Sequence, residues 1–124
     1  QMLRKFTKKK FQFSFTPHLS PMFRGILSTI YVDLENNITQ TKVLKTLISF
    51  YKNESFVKIF KSDTLLSTND VINTNNCYIS VCKSKYSNKI IILSAIDNLI
   101  KGGAGQAVQN LNNKFNFSET IGLK

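Results

Sequence analysis

Apolar and polar positions alternate at one period in some stretches of the chain and at another elsewhere, and the switches divide it into elements. Lys10 to Thr16 alternates, with Phe11, Phe13 and Phe15 on one side and Gln12, Ser14 and Thr16 on the other, which predicts a half-buried strand whose phenylalanines lie in the core. Arg24 to Leu34 is rich in β-branched residues and predicts a second strand, with Ile26, Ile30, Val32 and Leu34 on one face and Leu27, Thr29 and Tyr31 on the other. Glu35-Asn36-Asn37 has turn chemistry. The period then becomes helical. Val43, Leu44, Leu47, Ile48 and Tyr51 form one stripe over Gln40 to Asn53, with Thr39 as N-cap and no capping box, because Lys42 stands where a glutamate would help.

Phe56 to Phe60 reads as a short strand and Ser67 to Asn73 as a short helical turn. Cys77 to Lys83 alternates as a strand. Lys89 to Ile96 is apolar on both faces, which predicts a central strand, and a turn at Tyr86-Ser87-Asn88 pairs the two as an antiparallel hairpin. Gln106 to Phe115 predicts a helix with Ala107, Val108, Leu111 and Phe115 on one side. Gln1 to Lys10 reads as the end of a helix, and Asn116 to Lys124 as a poorly fixed tail.

Size and charge narrow the classes. A chain of 124 residues with 42% hydrophobic content is enough for one domain with a core and argues against disorder. The net charge of +10 admits nucleic acid, anionic ligands or an acidic partner surface. Lys8-Lys9-Lys10 reads as a solvated helix end in preference to a phosphate patch, since no nucleic-acid motif accompanies it. Cys77 and Cys82 fall on opposite faces of one strand and cannot easily bridge, and no zinc spacing exists, so a reduced, intracellular (cytoplasmic) protein is expected. No apolar run approaches the roughly 20 residues of a membrane helix, no signal peptide is visible, and membrane partners are not expected. The chain opens on Gln1, as a fragment would.

Candidate chemistry lies in two places. The only histidine, His18, sits between Pro17 and Pro21 in a stiffened loop, followed by Arg24 and Gly25. An imidazole there can move protons near neutral pH, and a guanidinium can clamp a carboxylate or phosphate. The second place is Asp97 to Gly105, a glycine-rich turn between the central strand and the last helix. Its glycines let backbone approach a ligand, or serve only as a tight packing turn; the spacing matches neither a dinucleotide fingerprint nor a P-loop.

The run FTPHLSPMFRGILSTIYV, Phe15 to Val32, resembles the histidine segment of the N-acetyl-gamma-glutamyl-phosphate reductases, with Phe23 where that family commonly has asparagine. A second run, SAIDNLIKGGAGQAVQNLN, Ser94 to Asn112, resembles the same family, with Gly103 in place of a common alanine. The resemblance covers nearly the whole chain, strongly in these two blocks. It implies an α+β fold: a mixed, largely antiparallel sheet with helices on one face, like the second domain of glyceraldehyde-3-phosphate dehydrogenase. It implies a catalytic and dimerisation domain over residues 1–100. Residues 101–124 become a helix and tail that pack on a nucleotide-binding domain.

The activity implied is reduction of N-acetylglutamyl phosphate to the semialdehyde with NADPH, in arginine biosynthesis, through a cysteine thioester. His18 is then the acid and base, Arg24 holds the substrate's carboxylate or phosphate, and Asn98, Lys101, Gly102 and Gly103 lie near the nicotinamide of NADP. The family's uncovered sheet face joins subunits, so a homo-oligomer is expected. No part of the chain resembles the family's dinucleotide fingerprint or nucleophilic cysteine segment, and Cys77 and Cys82 read as structural. The chain alone is therefore expected to be inactive. The aspartate-semialdehyde dehydrogenases share a D-N-L-x-K-G-A motif and are the nearest rival. A basic single-stranded nucleic-acid-binding module is the rival of another class.

Overall fold

A computed structural model describes residues 12–86 and 88–124; the helix expected over Gln1–Lys10, the first two residues of the Lys10–Thr16 strand and the middle of the Tyr86–Asn88 turn lie outside them. The elements are β1 (Ile26–Asp33), α1 (Gln40–Phe50), β2 (Val57–Ile59), a 3-10 turn (Thr68–Asp70), β3 (Cys77–Lys83), β4 (Lys89–Ile96) and α2 (Gly105–Lys114). One sheet holds the four strands in the order β1-β4-β3-β2. β4 pairs antiparallel with β1 and β3, and β2 adds a parallel edge to β3. The expected mixed, largely antiparallel α+β architecture is thus the one observed, with β4 central.

Register assigns the faces. Ala95 and Leu93 of β4 stand opposite Tyr78 and Ser80 of β3 and Leu27 and Thr29 of β1. On this face Leu66 and Val71, carried by the connection between β2 and β3, pack with Ala95, Phe60, Tyr78 and Leu93. The other face buries Val81 and Ile90. Gln40, opening α1, donates to the Val81 carbonyl at 2.9 Å, and α1 packs on β2 and β3. The Thr39 hydroxyl accepts from Lys42 N, as a capping residue does, and α1 stops at Phe50, earlier than its apolar stripe suggests.

Three expectations change. Residues 12–20 form no strand, and Phe13 and Phe15 are 58% and 75% exposed, their rings stacked on each other instead of in the core. Alternation makes an apolar face, but a strand also needs a ladder partner, and none among the described residues pairs with this stretch or with the outer edge of β1. β1 starts at Ile26, not Arg24, because Gly25 at φ +108° breaks the extended backbone. The tail is not loose. Asn75 N donates to the Lys124 carbonyl at 2.6 Å, and Asn112 Nδ2 donates to the carbonyls of Glu119 and Ile121.

That docking turns α2 over. Its buried residues are Gly105, Gln109 and Asn112, while Val108, Leu111 and Phe115 face outward. A helix that buries amides and exposes leucine reverses the usual partition. The amides are satisfied locally, by Asn75 and the tail, so burying them is tolerated.

Candidate functional site: a buried carboxylate between two loops

β4 is largely apolar, and directly after it comes Asp97, which is fully buried. An unpaired carboxylate there would be costly, and the chain supplies four donors. Arg24 Nε lies 3.0 Å from one carboxylate oxygen and 2.8 Å from the other. Leu99 N and Ile100 N donate at 2.8 and 3.0 Å, and Asn73 N, held at φ +63°, donates at 2.8 Å. Burial disfavours the charge, but Arg24 and the three amides outweigh it and bring the Asp97 carboxyl down to about 2.

A second tie lies beside the first. Gly25 N donates to Asn98 Oδ1 at 2.7 Å. A Cβ on Gly25 would come within 2.6 Å of Thr68 Cβ, so close approach as well as the positive φ requires glycine here. The two blocks singled out in the sequence therefore meet: Arg24-Gly25 is joined to Asp97-Asn98.

His18 is placed differently. It is exposed, and its Nδ1 lies 3.1 Å from the carbonyl of Thr16. Leu19 and Phe23 on the same segment are almost wholly exposed. The structure brings Arg24 and Asn98 together and leaves His18 on the surface segment that precedes them.

After Asn98 the chain makes a π-type turn, Ile100–Ala104, broken at Gly103 (φ −151°, ψ −112°). Gly102, Gly103 and Ala104 are exposed there, and a Cβ on Gly102 or Gly103 would meet only ordinary contacts. Gly105 is different: a Cβ would fall 2.5 Å from Asn75 Oδ1 and from Ile100 Cγ2, so its glycine seats α2.

Lys101 reaches inward. Its Nζ donates to Gln109 Oε1 at 2.7 Å and lies 5.4 Å from the Phe56 ring centroid. Burial lowers its pKa, opposed by the nearby Cys77, Glu119 and Glu54. Gln109 also accepts from Asn75 Nδ2 and donates to Glu119. Glu119 is held below the usual range by the Ser55 hydroxyl, against burial, with help from Gln109, Asn113 and Lys101. Cys77 and Cys82 are free thiols, near Ser94 Oγ and the Thr64 carbonyl respectively. Among the described residues no group of three or more His, Cys, Asp and Glu is placed to hold a metal, and no helix is long and apolar enough to cross a membrane.

Sequence reasoning missed Asp97, Asn75 and Gln109 as organising residues. Asp97 had a visible signal, an acid at the end of a strand apolar on both faces and directly before turn residues. Asn75 and Gln109 had none, because their partners are remote in sequence.

A family model described as semialdehyde dehydrogenase, dimerisation domain, matches residues 1–98. Curated relatives named N-acetyl-gamma-glutamyl-phosphate reductase align along most or all of the chain. One from Halothermothrix orenii is 46% identical over 111 residues, covering 90% of this chain and 32% of the relative. One from Desulforamulus reducens is 49% identical over 110 residues, covering 89% and 32%. One from Vesicomyosocius okutanii subsp. Calyptogena okutanii is 44% identical over 124 residues, covering 100% and 35%. The chain thus spans about a third of the length of these relatives. Among solved structures, aspartate semialdehyde dehydrogenase II from Vibrio cholerae shares the fold at TM-score 0.58 and 20% identity, covering 78% of this chain and 29% of that one. With the family model matched over residues 1–98 and relatives 44–49% identical along most or all of its length, the chain belongs to the semialdehyde dehydrogenase dimerisation-domain family.

Proposed function

We propose that the chain is the acid–base and subunit-contact part of an NADPH-dependent reductase that converts N-acetylglutamyl phosphate to N-acetylglutamate semialdehyde in arginine biosynthesis. The observation that carries this reading is the junction of Arg24-Gly25 with Asp97-Asn98, which joins the two blocks shared with the reductases. The identity of 44–49% to proteins of that name favours the acetylglutamyl substrate over the aspartyl one.

In this reading His18 is the proton-transfer group. Exposed between two prolines, it is free to take a proton from a thiol presented by another part of the enzyme and to return one to the oxygen of the reduced carbonyl. Arg24 holds an anionic group of the substrate. Bound NADPH supplies the hydride. Gly102 and Gly103 fit its nicotinamide end, since they leave exposed backbone beyond β4, and Asn98 adds a side-chain amide beside them. Lys101 fits less directly, because Gln109 engages its ammonium. The outward apolar stripe of α2 packs on the nucleotide-binding domain. The part of the sheet face that bears the exposed Leu27 and Tyr31 of β1 joins a second subunit in the cytoplasmic enzyme.

The test compares acyl phosphates in the full-length protein, following NADPH oxidation. Turnover with N-acetylglutamyl phosphate and little with aspartyl phosphate is expected; the reverse preference would replace this reading with its aspartate-semialdehyde rival. The isolated 124-residue chain is expected to turn over neither.

A further inference from the structure

One carboxylate collects donors from three separate stretches of the chain: Arg24 ahead of β1, Asn73 ahead of β3, and Leu99 with Ile100 after β4. It is wholly buried, and the Arg24 side chain is 17% exposed. A guanidinium carries five N–H donors in a rigid planar fork. Here the contact to Asp97 is made through Nε, and no other carboxylate among the described residues forms an ion pair with Arg24. Among the described residues the terminal nitrogens make no ion pair, which leaves them for an oxyanion.

We infer that Asp97 is a positioning residue for the reaction: it grips Arg24 by Nε so that the terminal guanidinium nitrogens are presented to the substrate's phosphate or carboxylate. This rests on the reading of Arg24 as the anion clamp. An arginine without such a grip would have to be ordered by each substrate molecule, at a cost in side-chain entropy. The same carboxylate caps the amides of Leu99 and Ile100, while Asn98 Oδ1 holds Gly25 N. The clamp and the loop beside the nicotinamide therefore keep a fixed relation, as a two-substrate reaction requires.

Asp97→Asn in the full-length enzyme tests this. The amide keeps one oxygen for Leu99 and Ile100 but sets an NH2 against Arg24 Nε or Asn73 N. The expected result is a KM for the acyl phosphate raised about tenfold or more, with kcat and the KM for NADPH within about threefold. A purely structural role would move all three together. An unchanged acyl-phosphate KM in a folded Asp97→Asn enzyme overturns the proposal.

Arg24→Ala separates the two levels. If it leaves that KM unchanged, the clamp reading itself fails. If it raises the KM and Asp97→Asn does not, only the positioning role fails. Should Asp97→Asn not fold, Arg24→Lys decides, because one ammonium cannot serve Asp97 and substrate as a two-edged fork does. A similar rise in KM supports the proposal, and an unchanged KM overturns it. Inhibition by inorganic phosphate and by N-acetylglutamate identifies the group held: the weakened inhibitor marks it, and unchanged inhibition by both counts against the proposal.

Discussion

The two ends of the histidine block share one stretch of sequence but are held in opposite ways. Arg24 and Gly25 are fixed by a buried carboxylate and an asparagine side chain just beyond the end of the neighbouring strand, β4. His18 has an exposed ring, a neighbouring carbonyl and apolar residues turned outward around it. The difference teaches which part of the site this chain organises by itself. The Arg24 end is built into the sheet edge, whereas the His18 end is displayed on the surface; in the proposed function these are the anion-binding and proton-transfer halves. α1 and α2 repeat the contrast: α1 half-buries Val43, Leu44 and Leu47 of its apolar stripe, with Ile48 exposed, and α2 shows its own stripe outward while burying Gln109 and Asn112.

The comparison breaks most visibly at Asp97. Asp97→Ala leaves Arg24 half-buried without its carboxylate and three amides without an acceptor, and is expected to cost about 3–5 kcal/mol in urea unfolding. A loss below about 1 kcal/mol would mean that the junction does not hold the sheet edge. Gly25→Ala places a Cβ against Thr68 at a backbone angle that L-residues avoid, with an expected cost of about 2–4 kcal/mol by the same measurement.

The carboxylate also predicts an acid limb. Its native pKa of about 2 lies below the ordinary 3.8, so the unfolded chain binds the proton more readily. Stability from this group is present above about pH 4 and is lost as pH falls toward 2, a change of about 2 kcal/mol. Asp97→Asn should flatten that limb; an unaltered slope would assign it elsewhere.

The smallest effects sharpen the contrast between helix faces. Gln109→Ala removes an acceptor shared by Asn75 and Lys101 and should cost about 2 kcal/mol, while Leu111→Ser should change the stability of this chain by less than about 0.5 kcal/mol. A destabilisation by Leu111→Ser that emerges only in the full-length protein would locate the nucleotide-binding domain on α2.

Much of the sheet was legible because hydrophobic period and strand identity coincide in the strands that have a partner on each side. Cys77–Lys83, read from its alternation, and Lys89–Ile96, read from being apolar on both faces, match their expected bounds. The strand expected from the alternation fails over residues 12–16, because pattern specifies a face and not a partner. The orientation of α2 was hidden because it is set by Asn75 and a tail that returns through Lys124, contacts that no local period encodes. At the site, residue types led to His18, Arg24 and the glycine turn. The residue that joins the last two, Asp97, carried a signal in its place after a strand apolar on both faces, but its partners Arg24 and Asn73 are remote in sequence.

The measurement that bears most directly on the account is His18→Ala in the full-length enzyme, read as kcat for NADPH oxidation with N-acetylglutamyl phosphate at saturation. A fall of about 10²- to 10⁴-fold, with the KM values little changed, is the result expected for the proton-transfer group. A kcat within about threefold of the parent would contradict it, and would leave the chain as a substrate-binding and subunit-contact domain whose acid and base lie elsewhere.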